Sequence, residues 1–202
     1  MCFSLGSERR TVCTQTPQVH VYKRTAVISN RHEDAVALRW ATSSEDYQAF
    51  GRLCRDYVTW CRLRYKDVPW LVDEVFGYQA LDEELKILSR KYGPPQGRIL
   101  LAIENGEVVG GGAFKRWSDS ICELKRLYVS EAGQGRGLGR TLCEALLASA
   151  RSDGFNLIRL DTGNLMSEAM ALYSSMGFKP CPPYQVYPEK IRAYLVFMEK
   201  AL

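Results

Sequence analysis

From Val36 onward the apolar positions of this chain recur with one of two periods, and the switches between them mark out the elements. In VALRW (36–40), Val36, Leu38 and Trp40 alternate with their neighbours, which predicts a strand with one buried face. SSEDYQAFGRLCRDYVTWCRLRY (43–65) changes to helical spacing, with Phe50, Leu53, Cys54, Tyr57 and Val58 on one side behind an N-cap at Ser43 or Ser44. A second helical region, 71–91, is stopped by Gly93-Pro94-Pro95. RILLAIENGEVVGGGAFKRW (98–117) reads as two strands about an Asn105-Gly106 turn, and ICELKRLYV (121–129) as the next strand. Leu138, Leu142, Ala145, Leu146 and Ala150 then share a helical face that Gly154 terminates. FNLIRLDT (155–162) predicts a strand, LMSEAMALYSSMGF (165–178) a helix closed by Gly177, and YLVFMEKAL (194–202) a final strand. Residues 1–34 show little periodicity and are expected to be a mobile extension or leader outside the fold, leaving a single domain over 35–202.

Composition narrows the class without changing that outline. With 46% apolar and 25% charged residues, 202 residues suit one globular domain. The net charge is only +4, and Arg9, Arg10, Lys23 and Arg24 against Glu8 put most of it before residue 30, so no nucleic-acid footprint is expected. No apolar run reaches the roughly 18 residues of a membrane span, so no membrane partner is expected either. The cysteines at 2, 13, 54, 61, 122, 143 and 181 form no C-x-x-C pair and have no histidine at ligand spacing, which predicts reduced thiols, no metal and a cytoplasmic location.

The candidate chemistry lies in QGRGLGRTLCEALLASA (134–150), a glycine-rich turn running straight into a helix. Such a turn brings backbone N–H groups and the positive end of a helix to an anion, so phosphate-bearing cofactors are the candidates. A Walker loop would need Gly at Gln134 and Lys at Arg140. A G-x-G-x-x-G fingerprint fails from Gly133 at Leu138 and from Gly135 at Arg140. What fits is Gln134-x-x-Gly137-x-Gly139, which resembles the acetyl-CoA pyrophosphate loop of the GNAT superfamily of N-acetyltransferases. ALYSSMGF (171–178) looks like that family's second signature, and CELKRLYV, RLDT and MALYSSMGF are similar to a bacterial branch whose substrates are poorly defined. The resemblance spans residues 36–202. It implies a mixed α/β fold, a largely antiparallel sheet splayed between the fourth and fifth strands (counted from VALRW) and flanked by helices.

The same resemblance implies the site. Acyl transfer to an amine needs a stabilised oxyanion and a proton for the departing thiolate. Tyr173 is the implied proton donor, a phenol titrating near 10 beside a thiol near 8.5. Glu123 is the implied base, although a Glu123–Lys125 surface pair accounts for it as well. Strand alternation is expected to put Glu123, Lys125, Leu127 and Val129 on one face. Backbone groups of Leu127 and Val129 would pair with the pantetheine, the Val129 N–H would also serve the oxyanion, and Gln134, Gly135, Arg136, Gly137, Leu138, Gly139 and Arg140 would hold the pyrophosphate. Met166 stands where many members carry Asn. Tyr57, Trp60, Tyr65 and Trp70 either roof the acceptor or fill the core, and Arg116, Lys125 and Arg126 either meet an acceptor carboxylate or are solvated.

The expected function is acetyl transfer from acetyl-CoA, as cosubstrate, to a primary amine of a small molecule or amino acid, by direct attack through a tetrahedral intermediate. A protein N-terminus or lysine is the second choice of acceptor, a non-enzymatic acyl-CoA-binding sensor is the rival class, and a homodimer is left open.

Overall fold

The computed structural model describes residues 25–28 and 36–202. Eight strands form one sheet: β1 (Thr25–Ile28), β2 (Val36–Trp40), β3 (Gly97–Glu104), β4 (Glu107–Arg116), β5 (Ile121–Val129), β6 (Leu157–Gly163), β7 (Lys179–Pro180) and β8 (Leu195–Ala201). Their order is β1-β2-β3-β4-β5-β6-β8-β7, and every neighbouring pair is antiparallel except β5 and β6. β1 lies within the stretch expected to stay outside the fold and pairs with β2. The rest of that expected extension, with Arg9 and Arg10, falls outside the described residues.

The helices follow the local signals. α1 (Ser44–Arg64) starts at Ser43, whose hydroxyl accepts from the Asp46 N–H while the Asp46 carboxylate accepts from the Ser43 N–H, a reciprocal cap. The helical region expected over 71–91 is three short helices, α2 (Pro69–Tyr78), α3 (Leu81–Lys86) and α4 (Leu88–Tyr92). The first break falls at Ala80, whose φ of 51° no helix interior can accommodate. α5 (Leu138–Ser152) and α6 (Ser167–Ser175) sit where periodicity placed them, each followed by a glycine at positive φ. A short α7 (Glu189–Arg192) precedes β8. The β3–β4 hairpin turns through Asn105 and Gly106, both at positive φ, as a type I′ turn requires.

The sheet is covered on both faces. α5 lays Leu142, Leu146 and Ala150 on Leu100, Phe114 and Leu124, while α1 lays Phe50, Leu53 and Cys54 on Ile99, Leu101 and Ala113. The layers approach closely at Gly112, where a β-carbon would lie 2.9 Å from the side chains of both Leu127 and Leu146.

Two irregularities in β5 create the site. Ala113 faces Lys125 and Gly111 faces Tyr128, so Arg126 and Leu127 together oppose Gly112, a bulge with Arg126 at φ 58°. The extra residue reverses the alternation. Glu123, Lys125, Arg126 and Tyr128 therefore lie on the face away from α5, where Arg126 and Tyr128 meet α3 and α1, whereas Leu127 and Val129 join the α5 core. This corrects the expectation that Glu123, Lys125, Leu127 and Val129 share a face. Secondly, β5 and β6 pair only through Ile121–Glu123 and Leu157–Arg159 and then diverge, which is the expected splay. Among the described residues no helix is long and apolar enough to cross a membrane, and no cluster of ligating side chains could hold a metal.

Candidate active site

Where β5 and β6 part, a cleft of about 410 Å³ opens between Leu124–Val129 on one side and Leu160–Gly163 on the other. The glycine loop closes one end. Gly135 and Gly137 take φ values of 73° and 75°, and a β-carbon at either would meet nothing within 4 Å, so the cradle is open. The first bond inside α5 runs from the Thr141 N–H to the Gly137 carbonyl at 3.1 Å. The amides of Leu138, Gly139 and Arg140 therefore remain at the helix end, ready for an anion. The loop's side chains are spent on its own structure. Gln134 donates to the Val129 carbonyl at 3.1 Å, Arg136 pairs with Glu104 at 2.5 Å, and Arg140 donates to Ser175 Oγ at 2.6 Å.

That Gln134 bond also orients the strand edge. A strand residue directs its N–H and C=O to the same side, so the Val129 amide, like its carbonyl, faces away from β4 and into the splay. Tyr173, on α6, is 7% exposed and lines the opposite wall. Burial first, and then the nearby Cys143 and Asp161, push its phenol well above the ordinary range, so it stays protonated.

The other end of the cleft is a buried polar network. Lys125 Nζ lies 2.7 Å from Asp161 and 3.3 Å from Glu123, while Glu123 also meets Lys115 at 3.0 Å and accepts from the Tyr184 hydroxyl at 3.1 Å. Arg126 donates from Nε to Glu84 at 3.0 Å and from Nη1 to Gln79 at 2.8 Å; the Gln79 amide and the Tyr187 hydroxyl donate onward to Asp161. Burial alone would raise Glu84, but Arg126 and Lys91 hold its carboxyl down to about 2. Burial opposes ionisation of Asp161 as well, and there Lys125 outweighs it. Above these charges stand Tyr57, Trp60, Phe76 and Tyr128, with Tyr57 and Tyr128 ring centroids 5.3 Å apart.

A family model for acetyltransferases of the GNAT family matches residues 55–178. This chain belongs to the GNAT acetyltransferase family. It is 37% identical over 113 residues to an uncharacterized N-acetyltransferase of Schizosaccharomyces pombe, covering 55% of this chain and 69% of that protein. It is 34% identical over 110 residues to an IAA acetyltransferase of Azospirillum brasilense, covering 54% of this chain and 70% of that protein. The likeness is thus not confined to a bacterial branch. In fold it is similar to the PaiA N-acetyltransferase of Thermoplasma acidophilum solved in complex with coenzyme A, with a TM-score of 0.63 at 19% identity over 83% of this chain and 99% of that one. The chain is accordingly an acetyl-CoA-dependent N-acetyltransferase.

Within this acetyltransferase the expected site residues separate into groups. Tyr173, Leu127, Val129, Gln134, Gly135 and Gly139 line the cleft. Gly137 caps α5, Leu138 turns into the core, and Arg136 and Arg140 brace the loop from outside. Glu123 is not brought to the cleft. At 1% exposure, between two lysines and a tyrosine, it lies beneath Lys125, and its expected pair with Lys125 is real but buried rather than on the surface. Of the aromatic residues, Tyr57 and Trp60 roof the cleft, Tyr65 braces the Leu165 amide at 3.1 Å, and Trp70 packs on Tyr194 away from it. Arg116 bonds the Ser118 and Asp119 carbonyls at the sheet end, while Met166 lines the cleft at 5% exposure. The sequence reading missed Glu84, Gln79, Asp161 and Tyr187. A signal existed for two of them: Asp161 interrupts an apolar strand, and Glu84 follows Leu81 on the helical face that Leu85 continues.

Proposed function

We propose that this domain, β1 included, acetylates a primary amine of a small molecule held between the aromatic roof and the Lys125–Arg126 end of the cleft. The observation that carries the reading is the strand edge at Val129, opened by the β5–β6 splay, which faces Tyr173 across one cavity with the glycine cradle at its end. The residues present fit acetyl-CoA: a cradle of amides at a helix N-terminus suits a pyrophosphate, and an unpaired strand edge suits the amides of a pantetheine arm.

Bound acetyl-CoA supplies an acetyl thioester. The Leu127 and Val129 edge holds the arm in extended form, and the Val129 N–H donates to the carbonyl oxygen as negative charge develops there. The acceptor nitrogen forms a bond to the acetyl carbon, the carbon–sulfur bond breaks, and the amine proton leaves to water. Tyr173 meets the departing sulfur. A phenol held above its ordinary range is a weaker acid than a thiol, so its contribution is a hydrogen bond to the developing thiolate, short of full proton transfer. Glu123 acts through Lys125 as a positioning residue.

The test is thiol release from acetyl-CoA across a panel of amines, with product mass identifying the acetylated compound. Thiol release coupled to acetyl-amine formation supports the reading. Tight acetyl-CoA binding with no release on any small amine overturns the small-molecule acceptor, and acetylation confined to peptides moves the acceptor to proteins.

A further inference from the structure

We propose that the acceptor carries a carboxylate beside an apolar body, and that Lys125 and Arg126 receive the carboxylate while Tyr57, Trp60, Phe76 and Tyr128 enclose the body. The proposal rests on the acetyltransferase reading above and names the acceptor class for that same cleft. Three observations support it.

The connected network holds Lys91, Lys115, Lys125 and Arg126 against Glu84, Glu123 and Asp161, a net of one positive charge, with Lys91 and Lys115 at its partly exposed rim. An anionic ligand at the cleft would bring the network to neutrality. The two cations that border the cleft also keep donors in hand. Arg126 spends Nε on Glu84 and Nη1 on Gln79, whereas its Nη2, buried, has no hydrogen-bond partner among the described residues. Lys125 spends two of its three ammonium hydrogens on Asp161 and Glu123. These donors sit side by side because the bulge turns consecutive residues to one face, at the foot of the aromatic wall.

Phe76 stands beside this group, its ring centroid 5.2 Å from the Arg126 guanidinium carbon, and the proposal has that ring turn aside to admit the carboxylate to the buried Nη2. The position therefore lends itself to a test that leaves both cations in place. Phe76→Glu sets a carboxylate of the protein's own beside Arg126, and Phe76→Gln is the uncharged control of the same size.

The experiment measures kcat/KM by thiol release for matched acceptors that differ at the carboxyl group: amino acids with aromatic, aliphatic and polar side chains, their carboxamides, and the corresponding decarboxylated amines. A hydrogen bond to a charged group implies about a 10- to 100-fold advantage for the free acid in the wild-type protein. The carboxamides have the less basic amine, so any bias from nucleophile ionisation works against this outcome. Phe76→Glu is expected to abolish the advantage through KM, and Phe76→Gln to retain it. Carboxamides or simple amines that match or exceed the acids would overturn the proposal and leave the acetyltransferase reading standing, as would an advantage that survives Phe76→Glu. If no amine of the set yields thiol or acetylated product, the small-molecule acceptor proposed above falls and takes this proposal with it.

Discussion

At the loop end of the cleft, Gly135 and Gly137 hold their own left-handed turns within a few residues of the helix they cap; at the opposite end, Arg126 and Lys125 are held by carboxylates from α3, β5 and β6. The first region is open, and its chemistry belongs to backbone amides that any sequence of that shape would present. The second is buried, and its chemistry belongs to side chains that stay charged only because each is paired. A cofactor common to a family can be held by backbone geometry, which tolerates changes around it. An acceptor particular to one protein needs side chains, whose placement depends on the whole fold.

Five measurements would break or sharpen that contrast. The largest effect is expected where the two regions meet. Tyr173→Phe keeps the ring against Phe178 and removes the hydroxyl, so acetyl-CoA affinity should hold while turnover falls about 10²–10³-fold, as for loss of one donor to a developing anion. Single-turnover thiol release at saturating acetyl-CoA reads this, and equal rates would remove Tyr173 from the mechanism.

Next comes Arg126→Met, which leaves Glu84 in the core with only Lys91 and Tyr92 as partners and should cost about 1–3 kcal/mol in urea unfolding. The pH dependence follows the same pair. Glu84 is depressed from 4.5 to about 2 in the folded protein, so its stabilisation is complete above the unfolded value and fades as pH falls through that interval. The shift corresponds to about 3 kcal/mol. Acid unfolding of Glu84→Gln should show a shallower slope in that window, and an unchanged slope would mean the pair does not govern acid stability.

A smaller effect is expected at the loop. Gly137→Val puts a branched residue at φ 75° on the rim of the cradle, so acetyl-CoA should bind about ten-fold more weakly in calorimetry, in keeping with strain of about 1–3 kcal/mol. The acid-versus-amide preference of the acceptor should not move. Smallest is the change in pH profile for Glu123→Gln. With its carboxylate beneath Lys125, any loss of kcat should run parallel at every pH, whereas a loss that recovers at high pH would return Glu123 to the role of base.

What the chain determined unaided was everything that neighbouring residues decide among themselves. The periods of VALRW, of 43–65 and of 138–150, the Asn105-Gly106 turn and the glycine loop are local sterics and local burial, and the elements form where those signals stand. The family likeness rested on two such local motifs. Tertiary structure alone decided that 71–91 breaks into three helices, that Thr25–Ile28 adds a strand, and that Arg126 bulges and reverses the faces of β5. It also decided the fate of the charges. Glu84 meets Arg126 across 42 positions of chain, Lys125 meets Asp161 across 36, and Glu123 meets Tyr184 across 61. Whether a glutamate faces solvent, a substrate or two lysines depends on which distant segments exclude water around it, and no run of neighbouring residues encodes that.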